Sequence, residues 1–494
     1  MRAFKGSSFA KKLLMSVTYD AATASVDHRT IDDDVLSTRT TLQVVTVLSF
    51  GLGICFVMGW FITFYMQIPT SQILSASAAD SFLPHGISLS PAIGIHYFTD
   101  FEAFVLHGRY STSPYSPHAI FSTAYGPLAI FIAKVCDTIV GWPGAVFLFL
   151  STSAALFIAA VYRLVGRTLP ALLLGLLLLF TGPSIISMDR GNFDYLMAGF
   201  FVLFCYGLLR DRPLLTIIPL IVVASIKCYT IVLVLILLRE RRWKESVFSC
   251  GLTLAGYFIG FLAVGGGFFA NVRGFLHLNL GNAGATKTPG LALLPFSVST
   301  AGAIYHSISL FAGFQGTLDL INRNPRWYPA VPCIAISVVC VALFLLARRE
   351  REISLLALFA LMQLGPVSNF AYVSMSMVIE LCLLTLYLIR TQHQDSVHRC
   401  RPTPISPAVI KCCVVMLIFG IVPFSGYGPN LPISQEPLHL WFLQLFSYQY
   451  FGSVMNTLVV LILFFCLLRP TSMPIRFFKM LPNRILNPGV VRPS

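Results

Sequence analysis

The sequence predicts an all-α polytopic membrane protein: a bundle of about 10–12 transmembrane helices with an extracytoplasmic loop bearing interfacial helices. Three observations predict it. Of 494 residues, 56% are hydrophobic and 11% charged, with a mean hydropathy of +0.78, whereas soluble domains carry about 25% charged residues. Apolar runs near the ~20 residues needed to cross a bilayer recur along the chain. The basic residues sit in short clusters between those runs. The formal net charge of +14 is therefore a positive-inside pattern and excludes a nucleic-acid-binding face.

Taken in order, residues 1–40 form a polar leader containing Asp32-Asp33-Asp34, expected to be a disordered cytoplasmic tail and not a cleavable signal. A transmembrane domain is expected over 41–468, and a basic cytoplasmic tail over 469–494. Spans are predicted at 41–67, 143–162, 168–187, 192–209, 246–266, 327–347, 353–369, 372–389, 408–427 and 450–468. With the N-terminus inside, Arg163/Arg167, Arg210/Arg212, Arg239–Lys244, Arg348–Arg351, Arg390–Arg401 and the C-terminal tail all face the cytoplasm. The elaborated side is then the outer one, with loops over about 68–142, 267–326 and 428–449. Chemistry is expected on that side.

Two segments resist a simple span. Residues 213–238 carry basic clusters at both ends and Lys227 near the middle, which predicts two short helices turning at Lys227. Residues 119–140 contain Tyr125-Gly-Pro127, Lys134 and Asp137 and read as an interfacial or re-entrant helix on the outer side. The twelve cysteines are scattered without a CxxC pair, so they suggest neither a zinc site nor a disulfide framework. No Asn-x-Ser/Thr sequon occurs, which is compatible with a bacterial inner membrane.

Four constellations carry chemistry. In the first outer loop, Asp100 and Glu102 are two residues apart, and residues so spaced on a helix do not face each other. One of them is expected to point into a site. A carboxylate at the edge of a low-dielectric cavity is a candidate general base; the alternative is a solvated loop acid. His96, His107 and His118 are spaced by eleven residues, about 16 Å along a helix, too far apart to share one metal. The second constellation is Ser187-Met-Asp-Arg-Gly-Asn-Phe-Asp194. Arg190 there can hold a phosphate by paired charge-assisted hydrogen bonds, Gly191 allows close backbone approach, and Asn192 can cap a helix or meet a ligand. An ordinary polar turn is the alternative.

The third is Lys227-Cys-Tyr229 within an apolar run. An intramembrane lysine is costly and is paired with an anion, unless it snorkels to an interface. Glu380, inside the run 372–389, falls under the same rule, with no partner evident in the sequence. The fourth is Gly365-Pro-Val-Ser-Asn-Phe-Ala-Tyr372, where Asn369 and Tyr372 could touch a sugar or polar head group, or the segment could simply end a helix.

In this order the pieces resemble the family 87 glycosyltransferases, the polyprenyl-phosphate-mannose-dependent enzymes of the GT-C superfamily. The resemblance rests on Asp100, Gly108-Arg-Tyr110, Tyr115-Ser-Pro117, Tyr125-Gly-Pro127, Arg190-Gly-Asn192, Lys227-Cys-Tyr229, Arg241-Arg-Trp243 and Gly365-Pro-Val-Ser-Asn-Phe-Ala-Tyr372, and it spans about 40–390. The chain departs from the pattern at Thr230 and Gly126, both positions where the family often has Pro. The resemblance implies a GT-C-like fold and transfer of a hexose, mannose in the family, from a polyprenyl-phosphate donor to a glycolipid or glycan acceptor. Asp100 would be the general base of an inverting attack, with Arg190 and Lys227 stabilising the leaving phosphate. Asn192, Tyr229, Tyr110, Tyr125, Asn369 and Tyr372 would contact donor or acceptor. No metal or other cofactor is implied, and membrane lipid is the surrounding partner. A transporter or lipid flippase, with Lys227 and Glu380 on a pathway, is the rival from another class. Another GT-C-like enzyme, such as an oligosaccharide polymerase or ligase, is the rival within the same architecture.

Overall fold

An apolar helix leaves no backbone donor or acceptor for water, so a chain this hydrophobic satisfies its peptide groups by helices packed on one another. A computed structural model of the chain describes residues 31–65, 87–88, 96–109, 113–116, 125–142, 144–189, 191–283, 299–323, 327–366, 375–397, 404–422 and 448–468. Seventeen helices lie within them, and the sole strand pairing among the described residues is a two-residue antiparallel contact of Ile87–Ser88 with His96–Tyr97. The protein is all-α and polytopic. Among the described residues, five helices are long and apolar enough to cross a membrane, and six shorter apolar helices accompany them.

The first helix, α1 (Ile31–Tyr65), begins ten residues before the predicted span and draws part of the polar leader into a helix. The next, α2 (Thr99–Arg109) and α3 (Pro127–Val140), lie in the predicted first outer loop. With 14 residues, α3 is about 21 Å long, short of a bilayer's hydrocarbon core. Then come α4 (Gly144–Val165), α5 (Leu169–Leu178) and α6 (Gly182–Asp189). The expectation of one span over 168–187 is corrected here, because the chain turns between α5 and α6. Pro183 brings no N–H and suits a helix's first turn. The carbonyl of Leu178, freed by the turn, accepts from Thr181 Oγ1 (2.8 Å) and Ser184 Oγ (2.7 Å).

The centre of the bundle is built from helices that are apolar all round, the pattern of a buried helix. Both α7 (Phe193–Leu209) and α14 (Arg351–Leu364) are buried along most of their lengths. Around them stand α8 (Pro213–Ile226), α10 (Trp243–Ala263), α13 (Trp327–Leu346), α15 (Met375–Val397), α16 (Pro407–Ile421) and α17 (Tyr448–Leu468). The outer helices keep apolar side chains outward: Phe50 and Phe56 on α1 and Val247 and Leu254 on α10 are exposed, a surface suited to lipid. Residues 267–326, expected as an outer loop, instead carry α11 (Phe268–Ala283) and α12 (Thr300–Arg323), the latter packed against α13 and α17.

The segment 213–238 folds as predicted into two short pieces. The helix α8 ends at Ile226, Lys227 is extended, and a 3-10 turn (Cys228–Leu233) leads into α9 (Val234–Arg239). Both ends of this hairpin return to one ionic cluster. Asp211, just before α8, lies 3.3 Å from Arg351 and 3.9 Å from Arg242, and Glu240, just after α9, lies 2.9 Å from Arg351. The same cluster reaches α15, where Arg390 pairs with Glu350 and, at 2.9 Å, with the buried Glu352. A cluster this dispersed along the chain welds three connections and α15 at one end of the bundle. Removing one partner of a buried pair costs roughly 3–5 kcal/mol because the other charge is stranded. Arg390→Ala strands Glu352, so the detergent-solubilised variant should be less stable by about 3 kcal/mol and melt at a visibly lower temperature than the wild type.

Candidate functional site

At the opposite end of the central helices, three connections converge: the start of α2, the turn before α3 and the turn before α7. The sequence of α2 explains how it docks. Phe101, Phe104 and Val105, at helical spacing, are all buried, each contributing about 1.5–3 kcal/mol of burial. Phe101 packs on Phe149 (ring centroids 4.7 Å apart) and Phe193 (6.2 Å), and Phe104 meets Phe193 edge-on at 4.9 Å and Tyr125 at 5.1 Å. Asp100 precedes Phe104 by one turn and is thereby carried to the same flank. The helix starts from a left-handed residue, Phe98 (φ 62°), whose carbonyl accepts the Glu102 N–H at 3.0 Å. A non-glycine residue in that region is held there by its surroundings.

Asn192 is the junction. It is fully buried and caps α7, its Oδ1 accepting from the Asp194 N–H (2.9 Å) and the Tyr125 hydroxyl (2.8 Å). Two donors at Oδ1 settle which way the amide points, so Nδ2 faces Asp100 and donates to its Oδ2 at 2.6 Å. The turn before it needs glycine. Gly191 is left-handed (φ 63°), and a Cβ there would stand 2.8 Å from Phe101 Cβ. The backbone approach foreseen at Gly191 is therefore an approach to α2.

Beneath this junction lies a buried ion pair. Lys227 Nζ is 2.5 Å from Asp194 Oδ2, and both residues are almost wholly buried, at 7% and 4% exposure. The ammonium also stands over the Tyr125 ring, 4.5 Å from its centroid, and 5.9 Å from that of Tyr229. Such a cation over a desolvated aromatic face gains about 2 kcal/mol. Asp100 is near enough for its charge to act on both members of the pair. Four predicted residues, Asp100, Tyr125, Asn192 and Lys227, thus form one connected network, with Tyr229 at its edge. Asp194 belongs to it, although the sequence reading gave it no role. The signal was present: an intramembrane lysine needs an anion, and Asp194 lies in the same polar turn as Asn192.

The two departures from the family pattern have structural reasons. Gly126 donates its N–H to the Ile226 carbonyl (2.7 Å), and a Cβ there would lie 2.1 Å from the Ser225 carbonyl oxygen. Thr230 bonds the Lys227 carbonyl through both its N–H (3.2 Å) and its hydroxyl (2.9 Å). Proline offers neither N–H, and both contacts fix the ends of the segment that presents Lys227.

Tyr110, Arg190, Asn369 and Tyr372 lie outside the described residues. The two acids of α2 are in different surroundings, as their spacing implied. Asp100 is tied to Asn192, whereas burial pushes the Glu102 carboxyl up to about 7. Among the described residues, no group of three or more His, Cys, Asp and Glu side chains converges in a way that could hold a metal. Residues 123–368 match the model of glycosyltransferase family 87. No curated protein and no solved structure matches the chain.

Two outcomes follow. Asp194→Ala leaves the Lys227 ammonium buried without its anion, and the variant should lose about 3–5 kcal/mol, read as a lowered melting temperature in detergent. Lys227→Met in the same background should recover part of that loss. Glu102 is neutral in the fold up to about 7 but ionises near pH 4 when unfolded. Its folded pKa is raised, so the stability it contributes is full below pH 4 and lost as pH rises through about 7. The side chain is half-buried, so solvent screening holds the effect to about 1 kcal/mol, and Glu102→Gln should flatten the melting profile across that window.

Proposed function

The chain belongs to glycosyltransferase family 87, a membrane glycosyltransferase, and on that premise we propose that it transfers a hexose from a polyprenyl-phosphate donor to an extracytoplasmic acceptor with inversion, Asp100 acting as general base. The observation that carries this reading is the Asn192 junction. It aims a partly exposed carboxylate from the rim of an otherwise buried polar network. A base must be held in one orientation to take a proton in the transition state. Asp100 is so held, by an amide whose own orientation is set by Tyr125 and the α7 N-terminus.

The chemistry balances as follows. Asp100 takes the acceptor hydroxyl proton, the oxygen forms a bond to the anomeric carbon, and the bond from that carbon to the phosphate oxygen breaks. The electron pair leaves with the polyprenyl phosphate. Negative charge grows on that phosphate, and fixed positive groups stabilise it. Arg190, which directly precedes Gly191 and Asn192 in the sequence, is the side chain we assign to direct phosphate contact. Lys227 contributes from beneath; because Asp194 largely neutralises it, its main effect is to hold Tyr125 and the turn in place. Tyr110, Tyr229, Asn369 and Tyr372 are assigned to the sugar and the acceptor.

The GT-C architecture, mannose as the sugar and a glycolipid or glycan as acceptor are carried by the resemblance. The positive-inside pattern supports cytoplasmic termini and an extracytoplasmic site, and the absence of an Asn-x-Ser/Thr sequon is compatible with a bacterial inner membrane. The ionic cluster of Arg242, Arg351 and Arg390 lies at the end of the bundle away from Asp100, which agrees with that orientation.

The test is transfer by the purified protein from polyprenyl-phosphate-mannose to candidate acceptors. Asp100→Asn should reduce the rate about 10²–10⁴-fold while the protein stays folded, and Glu102→Gln should retain activity. Unchanged transfer in Asp100→Asn would remove Asp100 as the base. Lipid flux without glycosyl transfer would turn the reading to a flippase.

A further inference from the structure

Glu380, which the site does not use, lies in a second polar cluster shared by α14, α15 and α17. Glu380, Gln363 and Asn456 are each at 0% exposure, and Ser376 is at 6%. Asn456 Nδ2 donates to Gln363 Oε1 at 3.0 Å and, more loosely, to Glu380 Oε1 at 3.4 Å. Ser376 Oγ donates to Gln363 Oε1 at 2.7 Å. Two buried acceptors, Glu380 Oε2 and Asn456 Oδ1, are left without a donor. Buried polar atoms in native proteins almost always have one.

The missing donor is a question of charge. The group facing Glu380 is Asn456 from α17, which also bonds Gln363 of α14, with Cys340 on α13 as the titratable group whose field it shares. Among the described residues no Lys, Arg or His forms an ion pair with it. An ionised carboxylate there would be isolated in a low-dielectric interior, where such groups neutralise instead. A bound metal cation fits poorly, because the amide nearest the carboxylate turns its N–H toward it. The deficit is a proton.

We propose that Glu380 is a proton-binding site, held as a neutral carboxylic acid at physiological pH, and that its O–H is the donor the cluster lacks. The cluster has a place in the fold that gives this a consequence. Gln363 and Ser376 bond to each other from the two sides of the connection between α14 and α15, the connection that carries Asn369 and Tyr372. Asn456 ties that clasp to Glu380 and to α17. Ionising Glu380 places an unpaired charge under the clasp and loosens it. Glu380 and Asn456 both lie beyond the family match at 123–368, so this device belongs to the C-terminal part of the chain. It does not rest on the assignment of Asp100.

The decisive measurement is the infrared difference spectrum of wild type against Glu380→Gln in detergent at neutral pH. The expected result is the carbonyl stretch of a protonated carboxylic acid, lost in the variant. Carboxylate stretches in its place would overturn the proposal. If Glu380→Gln does not fold, wild type labelled with ¹³C-glutamate and titrated with pH gives the same reading. A melting series checks it independently. An acid that stays protonated in the fold but ionises freely in the unfolded chain makes stability fall as pH rises above the ordinary carboxylate range. The unfolded-to-folded ratio of wild type should then rise with pH, by at most about tenfold per pH unit. Glu380→Gln should be no less stable than wild type and should lack that component, which separates it from the titration of Glu102. A sodium-dependent gain in melting temperature, abolished in Glu380→Gln, would overturn the proposal in favour of a cation site.

Discussion

Every feature of the candidate site leans on the cost of placing Lys227 inside an apolar bundle. An ammonium there needs an anion, and Asp194 supplies it at 2.5 Å. The chain breaks at Lys227, an extended residue that closes α8 and sets its ammonium against the start of α7. The break in turn needs the Gly126 N–H on the Ile226 carbonyl and Thr230 on the Lys227 carbonyl. Asp194 is the second residue of α7, so anchoring it also fixes the helix N-terminus and with it the Asn192 cap. One electrostatic requirement thus sets the position of the amide that orients Asp100.

The two ends of the bundle solve the problem of charge differently. At one end, arginines and acids from three connections and from α15 neutralise one another in a network that runs from the exposed Asp211 to the buried Glu352. At the other, a lysine, two aspartates, an asparagine and a tyrosine are linked by short hydrogen bonds, and one of the acids keeps partial exposure. Fixed charges of the second kind need not reorganise as a reaction proceeds, which suits the role proposed for Asp100. Glu380 is a third solution, in which the acid gives up its charge.

The spans and the segment around Lys227 were legible because apolar length and isolated charge are local properties. The break at Lys227, the short α3 and the grouping of Asp100, Tyr125, Asn192 and Lys227 could all be read from residue order and a family resemblance. Other features were not. The turn between α5 and α6 hides within a run whose hydropathy is continuous, because a carbonyl freed there is satisfied by Thr181 and Ser184, two residues with no hydropathic signature. The helices within 267–326 were hidden for the opposite reason: their mixed composition reads as loop until α10 gives α11, and α13 and α17 give α12, a surface to pack on. Asp194 was overlooked beside the more conspicuous Arg190.

What the sequence by itself determined is the class of the protein, the helical nature of its spans, the existence of a costly lysine at 227 and the set of polar residues available to the site. Hydropathy and the price of a buried charge depend on residue type and spacing, and both can be read without coordinates. Only the tertiary structure decided which partners those charges take. Asp194 for Lys227, Asn192 for Asp100 and Asn456 for Glu380 are separated by 33, 92 and 76 residues. Each pairing depends on helices from distant parts of the chain meeting at one depth, and that is fixed by packing.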